Sequence, residues 1–143
     1  MATAETVEMG PAHAPKTESI EAFTSLLPHL KRELQHLRHE TNKHEMQYFQ
    51  ATADLPNEQL TNFSSDDLKE VRVATSAYGV HLFGKVLLPD SEGCYFMFRA
   101  FIAGEAEGAK LHCIHMEETE RPDGDKDFRA IFGEGDKLEW FDV

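Results

Sequence analysis

The sequence predicts an α+β domain in which N-terminal helices pack on a curved antiparallel β-meander of five or six strands. Three observations carry that prediction. Before residue 70, apolar side chains recur every three or four positions, the spacing of one helix face. After residue 71 the pattern changes to short runs rich in β-branched and aromatic residues. The clusters PDSEG, GEAEG, RPDGDK and GEGDK separate those runs at hairpin spacing.

Composition bounds the rest. A chain of 143 residues fits one domain with its own core. No apolar run approaches the roughly 20 residues that span a bilayer, so no membrane partner is expected. The opening MATAETVEMGPAHAPK has neither a basic start nor an apolar stretch, so no signal peptide is visible and a cytoplasmic protein is expected. The net charge of -12 disfavours approach to phosphate backbones and sets nucleic acid aside as a partner.

Taken in order, residues 1–16 lack periodicity and read as a disordered tail, leaving a single domain over 17–143, helical to 70 and sheet from 71. Ile20, Phe23, Leu27, Leu30, Leu34 and Leu37 form an apolar seam interrupted by Pro28. Either Ser25 caps a helix over 26–52, or a short helix over 18–27 ends in a kink. In DLPNEQLTNFSSDDLKE, a Pro-led turn precedes Ser64–Asp67, a capping pattern for one or two helical turns. VRVATSA reads equally as a sixth strand or as an extension of that helix. The five strands proper are YGVHLFGKVLLP, CYFMFRAFIAG, AKLHCIHMEETE, DFRAIFGEG and KLEWFDV.

Each turn fixes a register, and each register sorts side chains onto two faces. Centring one turn on Ala106 sets Ala100 opposite His112 and Arg99 opposite Cys113. Centring the next on Asp123 sets Ile114 opposite Phe132 and Glu117 opposite Arg129, and a turn around Gly135 sets Phe132 opposite Leu138. One face then gathers Val80, Leu82, Val86, Phe96, Phe98, Ala100, Ile102, Ile114, Met116, Phe128, Ala130, Phe132, Leu138 and Trp140, with His112 alone among them. The helix seam is expected to cover this face. The other holds His81, Phe83, Lys85, Leu87, Tyr95, Met97, Arg99, Phe101, Leu111, Cys113, His115, Glu117, Arg129, Ile131, Glu139 and Phe141. It is too apolar to face water, so a second subunit, a ligand or the N-terminal segment should cover it, with a homodimer preferred.

Those registers divide the densest chemistry in the chain, LHCIHMEETE at 111–120. Alternation sends His112 to the core face and Cys113, His115 and Glu117 to the other. Cys113 and His115 supply two metal ligands where a structural zinc needs four, and Glu33-x-x-His36 occurs once where a di-iron bundle needs it twice, so no metal or cofactor is expected. Cys94 and Cys113 lie too far apart along the sheet for a disulfide and should be free thiols. No nucleophile motif is present.

A histidine buried among apolar groups is held neutral and can accept a proton. His112 is therefore the catalytic candidate, in a pocket lined by Phe98, Met116 and Trp140. Tyr95, Arg99, His115 and Glu117 form a binding group on the other face. The element order is compatible with cystatin-like and NTF2-like cones, whose pocket lies between helix and sheet; that likeness carries no function by itself. Two readings stand together. One is a small-molecule pocket protein, an acid–base lyase, isomerase or cyclase. The other is a non-catalytic homodimeric adaptor.

Overall fold

Period-two alternation of large side chains builds a five-stranded antiparallel sheet, and a single long helix seals one side of it. The computed structural model describes residues 8–103 and 108–141. In chain order the elements are β1 (Glu8–Met9), α1 (Thr17–Lys43), α2 (Asn57–Leu60), β2 (Leu68–Ser76), β3 (Gly79–Leu87), β4 (Tyr95–Ile102), β5 (Ala109–Ile114), β6 (Glu117–Glu120) and β7 (Lys126–Arg129). The sheet order is β1-β2-β3-β4-β5, and β6 and β7 form a separate hairpin. The α+β architecture is as expected, with several corrections.

The helix is one element, neither starting at 26 nor breaking at 27. It runs through Pro28. Proline removes one backbone bond and ordinarily costs about 3 kcal/mol inside a helix. Here Pro28 faces solvent, where water can serve the freed carbonyl, while Phe23 and Leu26 before it and Leu30 and Leu34 after it are buried. Packing on both sides of the proline outweighs the local defect. The buried stripe is also turned slightly from the expected seam: Leu26 replaces Leu27 in the core, and Ile20 is exposed. Beyond Lys43 the chain reverses through Glu45, which takes a left-handed backbone (φ 59°).

The capping pattern at Ser64 is present, with Asp67 Oδ2 accepting from the Ser64 N–H at 2.8 Å, but it caps a single 3₁₀ turn over Ser65–Asp67. All of VRVATSA but Ala77 then falls in β2, because Val71 and Ala74 alternate into the two cores and each residue from Val71 to Ser76 finds a partner on β3. The N-terminal segment is not all tail. Glu8 pairs with Thr75, Met9 with Ala74 and His13 with Val71, so residues 8–13 border β2; residues 1–7 lie outside the described residues.

Of the expected strands, YGVHLFGKVLLP and CYFMFRAFIAG form β3 and β4. AKLHCIHMEETE breaks after Ile114 and yields β5 and β6. Only the start of DFRAIFGEG is a strand, and the described part of KLEWFDV, residues 137–141, is none; residues 130–141 form an irregular segment instead, and residues 142–143 lie outside the described residues. The turn centred on Ala106 lies outside the described residues. Its register holds at one end, with Arg99 opposite Cys113, and fails at the other, where Ala100 faces Leu111. His112 is therefore an extra residue, a β-bulge in β5.

Between α1 and the sheet the space is filled with rings and aliphatic groups. Phe23 stacks on Phe98 with centroids 5.6 Å apart and on Phe63 at 6.4 Å, and Phe63 meets Phe96 at 5.0 Å. Leu30, Leu34, Leu82 and Val86 complete this core. Gly84 on β3 makes room for it, since a Cβ there would occupy the space taken by the Phe98 ring. Gly84→Ala is therefore expected to lower stability by about 1–3 kcal/mol. Urea unfolding checks this: the midpoint should fall at unchanged slope, and an unshifted midpoint would show that Phe98 is not seated on Gly84.

Candidate functional site

The second sheet face begins with a row of side chains that the strand register sets side by side. Arg72 lies opposite Phe83, Phe83 opposite Arg99 and Arg99 opposite Cys113. One step along, Lys85 lies opposite Met97; one step the other way, His81 lies opposite Phe101. Strand side chains stand nearly perpendicular to their sheet, so three cations rise from this face among aromatic rings.

The chain's own C-terminal segment covers it. Tyr95 and Phe132 exchange backbone hydrogen bonds at 2.8 and 2.7 Å, and Ala130 N donates to Tyr48 O at 2.8 Å. The segment then turns through Gly133, whose N–H donates to Asp136 Oδ2 at 2.7 Å. Lacking a strand partner from there on, it offers carbonyls that no ladder satisfies. The cations meet them. Lys85 Nζ donates to the carbonyls of Glu134 (2.8 Å) and Asp136 (2.7 Å). Arg72 donates to Leu138 O at 3.0 Å and to Gly10 O at 2.9 Å, joining both ends of the chain. Arg99 donates to Phe141 O at 3.2 Å. Lys85 and Arg99 are only 4% and 6% exposed.

Aromatic contacts complete the cover. Phe83 meets Trp140 at 5.3 Å and Phe141 at 5.2 Å, and the Arg99 guanidinium lies 4.5 Å from the Trp140 ring centroid. The apolar side chains that suggested a dimer are thus covered within one chain.

Several assignments change sides as a result. Phe132, Leu138 and Trp140 belong to this second core, not to the helix side, while Ile131 and Leu111 pack with the helix side. Ile114 faces Phe98 in the same register as Arg99 and Cys113, but its expected pairing with Phe132 is not made, and Phe132 bridges Tyr95. Of the residues expected to line a helix-side pocket, Phe98 is fully buried in the core, Met116 packs at its margin and Trp140 is elsewhere.

His112 is the main correction. The bulge turns it out of the helix-side core, and it is exposed. Its ring lies against Phe101 (5.7 Å) and near His81 (6.0 Å), on the same face as His115. His112 thus lies outside the space between helix and sheet where it was expected.

On the second face the expected binding group does assemble, though not as one site. Tyr95 lies under Lys85, whose Nζ is 4.8 Å from the ring centroid. Glu117 meets Arg129 at 3.0 Å, as the register predicted, and Arg129 also pairs with Asp136 at 3.2 Å. His115 stacks on Phe141 (4.2 Å) and Phe132 (5.1 Å), with its Nε2 4.0 Å from Glu117. Arg99 belongs to a separate group with His81 and Trp140: its Nη2 is 3.4 Å from His81 Nδ1. Sequence reasoning did not single out His81, Lys85, Arg72 or Asp136. A clue was available in Ala130-Ile131-Phe132 and Trp140-Phe141, where adjacent apolar residues break the alternation of a one-faced strand.

The histidines here are biased toward neutrality. Burial lowers the pKa of His81 below its usual 6.5, helped by Arg99 and then His112. Burial and then Arg99 lower that of His112. Burial also lowers His115, prevailing over the opposing pull of Glu117. His81 Nε2 and His115 Nδ1 are buried without a hydrogen-bond partner. Beside His115 a cleft of about 340 Å³ opens between Met97, Glu117 and Arg129 on one side and Phe132, Asp136, Lys137 and Glu139 to Phe141 on the other. Cys94 and Cys113 form no disulfide with each other. Among the described residues, no group of three or more His, Cys, Asp and Glu is placed to hold a metal ion, and no helix is long and apolar enough to cross a membrane. Compared with known proteins, the chain matches no family model, no curated protein and no solved structure.

Removing the Lys85 ammonium tests the cover directly. Lys85→Met keeps the apolar stem and strands two carbonyls, so a loss of about 2 kcal/mol is expected. Lys137→Met, at an exposed position, should stay within about 0.5 kcal/mol of the parent. Equal denaturation midpoints for the two variants would contradict the assignment.

Proposed function

We propose that this protein binds a small, planar, polar molecule in the cleft beside His115. The observation that carries the proposal is the conjunction of a cleft of about 340 Å³ with a histidine in its wall whose pKa burial lowers, so that its ring is held toward the neutral form. Ligand sites are concave, of roughly 300–1,000 Å³, and combine apolar walls with a few fixed polar groups. The accessible lining is mainly polar, with Glu117, Arg129, Lys137 and Glu139 setting charges of both signs, and Phe132, Trp140 and Phe141 add a smaller apolar part. The ligand this favours carries a hydrogen-bonding edge beside a π-face.

Binding is preferred to turnover. Glu117 is engaged by Arg129, and its 4.0 Å separation from His115 exceeds a hydrogen bond that would orient a catalytic imidazole. The lyase, isomerase or cyclase chemistry expected of a buried His112 loses its support with that histidine exposed. Rings fill the helix-side space around Phe98, and the apolar groove of about 490 Å³ that opens on that side, beside Val73, Val80, Leu82 and Ile102, is not lined by His112. The homodimeric adaptor loses its motive as well, because the C-terminal segment covers the face assigned to a partner. A cytoplasmic location remains part of the proposal; two cysteines that do not pair with each other suit a reducing compartment.

A thermal-shift screen of small aromatic amides and carboxamides tests this. At about tenfold excess over its Kd, a ligand stabilises by about 1.4 kcal/mol, or about 4 °C in Tm for a chain of this size. The shift should vanish in His115→Phe. A screen in which no compound distinguishes the parent from that variant would reject the site.

A further inference from the structure

We propose that the C-terminal segment is an acid-released strap: protonation of His81 against Arg99 detaches Trp140 and Phe141 from the sheet. Hydrogen-bond chemistry carries this. Arginine has donors only. For Arg99 Nη2 to face His81 Nδ1 at 3.4 Å, Nδ1 must be the acceptor, and the ring proton of the neutral form sits on Nε2. A second proton has one place to go, Nδ1 itself. It turns an attractive donor–acceptor contact into two facing donors and sets two cations side by side. The His81 ring is 3% exposed, so water cannot screen that pair while the strap is closed.

The neighbours of His81 reinforce the effect. From β4 it faces Arg99 and Phe101, from β5 His112, and from the strap Trp140 at 5.8 Å; its partner on β2 is the uncharged Ala74. His112 adds positive charge on the same side when it titrates. His115, farther along, faces Glu117 on β6 and Arg129 on β7, which oppose each other, and it stacks on Phe132 and Phe141 of the strap. Arg72 and Lys85 hold the strap through carbonyls. The end bearing Trp140 and Phe141 is therefore the one that acid loosens, while the turn at Gly133, fixed by Lys85 and by Arg129 through Asp136, stays in place.

The sign follows from linkage. The closed strap holds the His81 pKa below 6.5, and release returns it toward that value. Closure is therefore fully favoured above about pH 6.5 and weakens as pH falls below it. Release would also widen the cleft beside His115, a consequence that rests on the proposed ligand site; the release itself does not.

Trp140 is the only tryptophan in the chain and reports on the strap directly. Acrylamide quenching of its fluorescence is measured on the full chain from about pH 8 to about pH 5, with far-UV circular dichroism alongside. The expected result is quenching that rises with a midpoint below 6.5 while the dichroism holds, and that stays at its high-pH level in His81→Phe. Flat quenching, quenching that rises only as the dichroism is lost, or an unchanged pH profile in a folded His81→Phe would each overturn the proposal. Should that variant fail to fold, proton NMR of the parent decides: the His81 ring must titrate with the quenching midpoint, and a ring that titrates apart from it overturns the strap. Ligand shifts at about pH 8 are read separately, so loss of the ligand site and loss of the strap are distinguishable.

Discussion

A cation standing on a buried sheet face must find oxygen, and in this protein Arg72, Lys85 and Arg99 find it on the carbonyls of the C-terminal segment. Each side meets a need of the other. Among the described residues the segment bridges a strand at Phe132, and its later carbonyls have no ladder partner. The cations would otherwise carry a desolvation penalty of several kcal/mol each. Once the clamps close, Phe83, Met97, Phe132, Leu138 and Phe141 form a second core opposite the helix-side one. The cleft beside His115 exists only because this cover is present, since much of its wall comes from the covering segment. The same cover places Trp140 against Arg99 and His81, where a change of protonation acts on it.

The bulge at His112 matters nearly as much. One extra residue in β5 reverses the parity of every position on its far side, sending Leu111 to the helix core and His112 outward. Without it, an imidazole would stand among the phenylalanines of the first core with no polar partner. Bulges also blunt the edges of sheets. β5 ends the sheet order, and its exposed Lys110 and His112 discourage edge-to-edge pairing. A histidine displaced from the core and an edge protected from association are one structural event.

What the sequence disclosed follows from the range of each signal. Strands β3 and β4 were legible because alternation and turn residues act locally, and Glu117 with Arg129 was legible because a short hairpin fixes its own register. The Ser64–Asp67 cap was equally local. The continuity of α1 through Pro28 was not, since it depends on burial on both sides of the proline. The bulge was invisible: an inserted residue has no composition of its own, and Leu111, His112 and Cys113 alternate plausibly in either parity. The cover was half visible. Too much apolar surface on the second face announced that something lay over it, while the identity of the cover depended on carbonyl-seeking cations in distant strands.

Both functional proposals thus rest on the placement of residues 130–141 over the second face. Proton NMR on the intact chain at neutral pH tests that placement most directly, through nuclear Overhauser contacts of the Trp140 indole and the Phe141 ring. Cross-peaks from Trp140 to Phe83, whose centroids lie 5.3 Å apart, and from Phe141 to His115, at 4.2 Å, are expected. Their absence, with the β3–β4 contacts intact, would mean that the segment does not lie on the sheet.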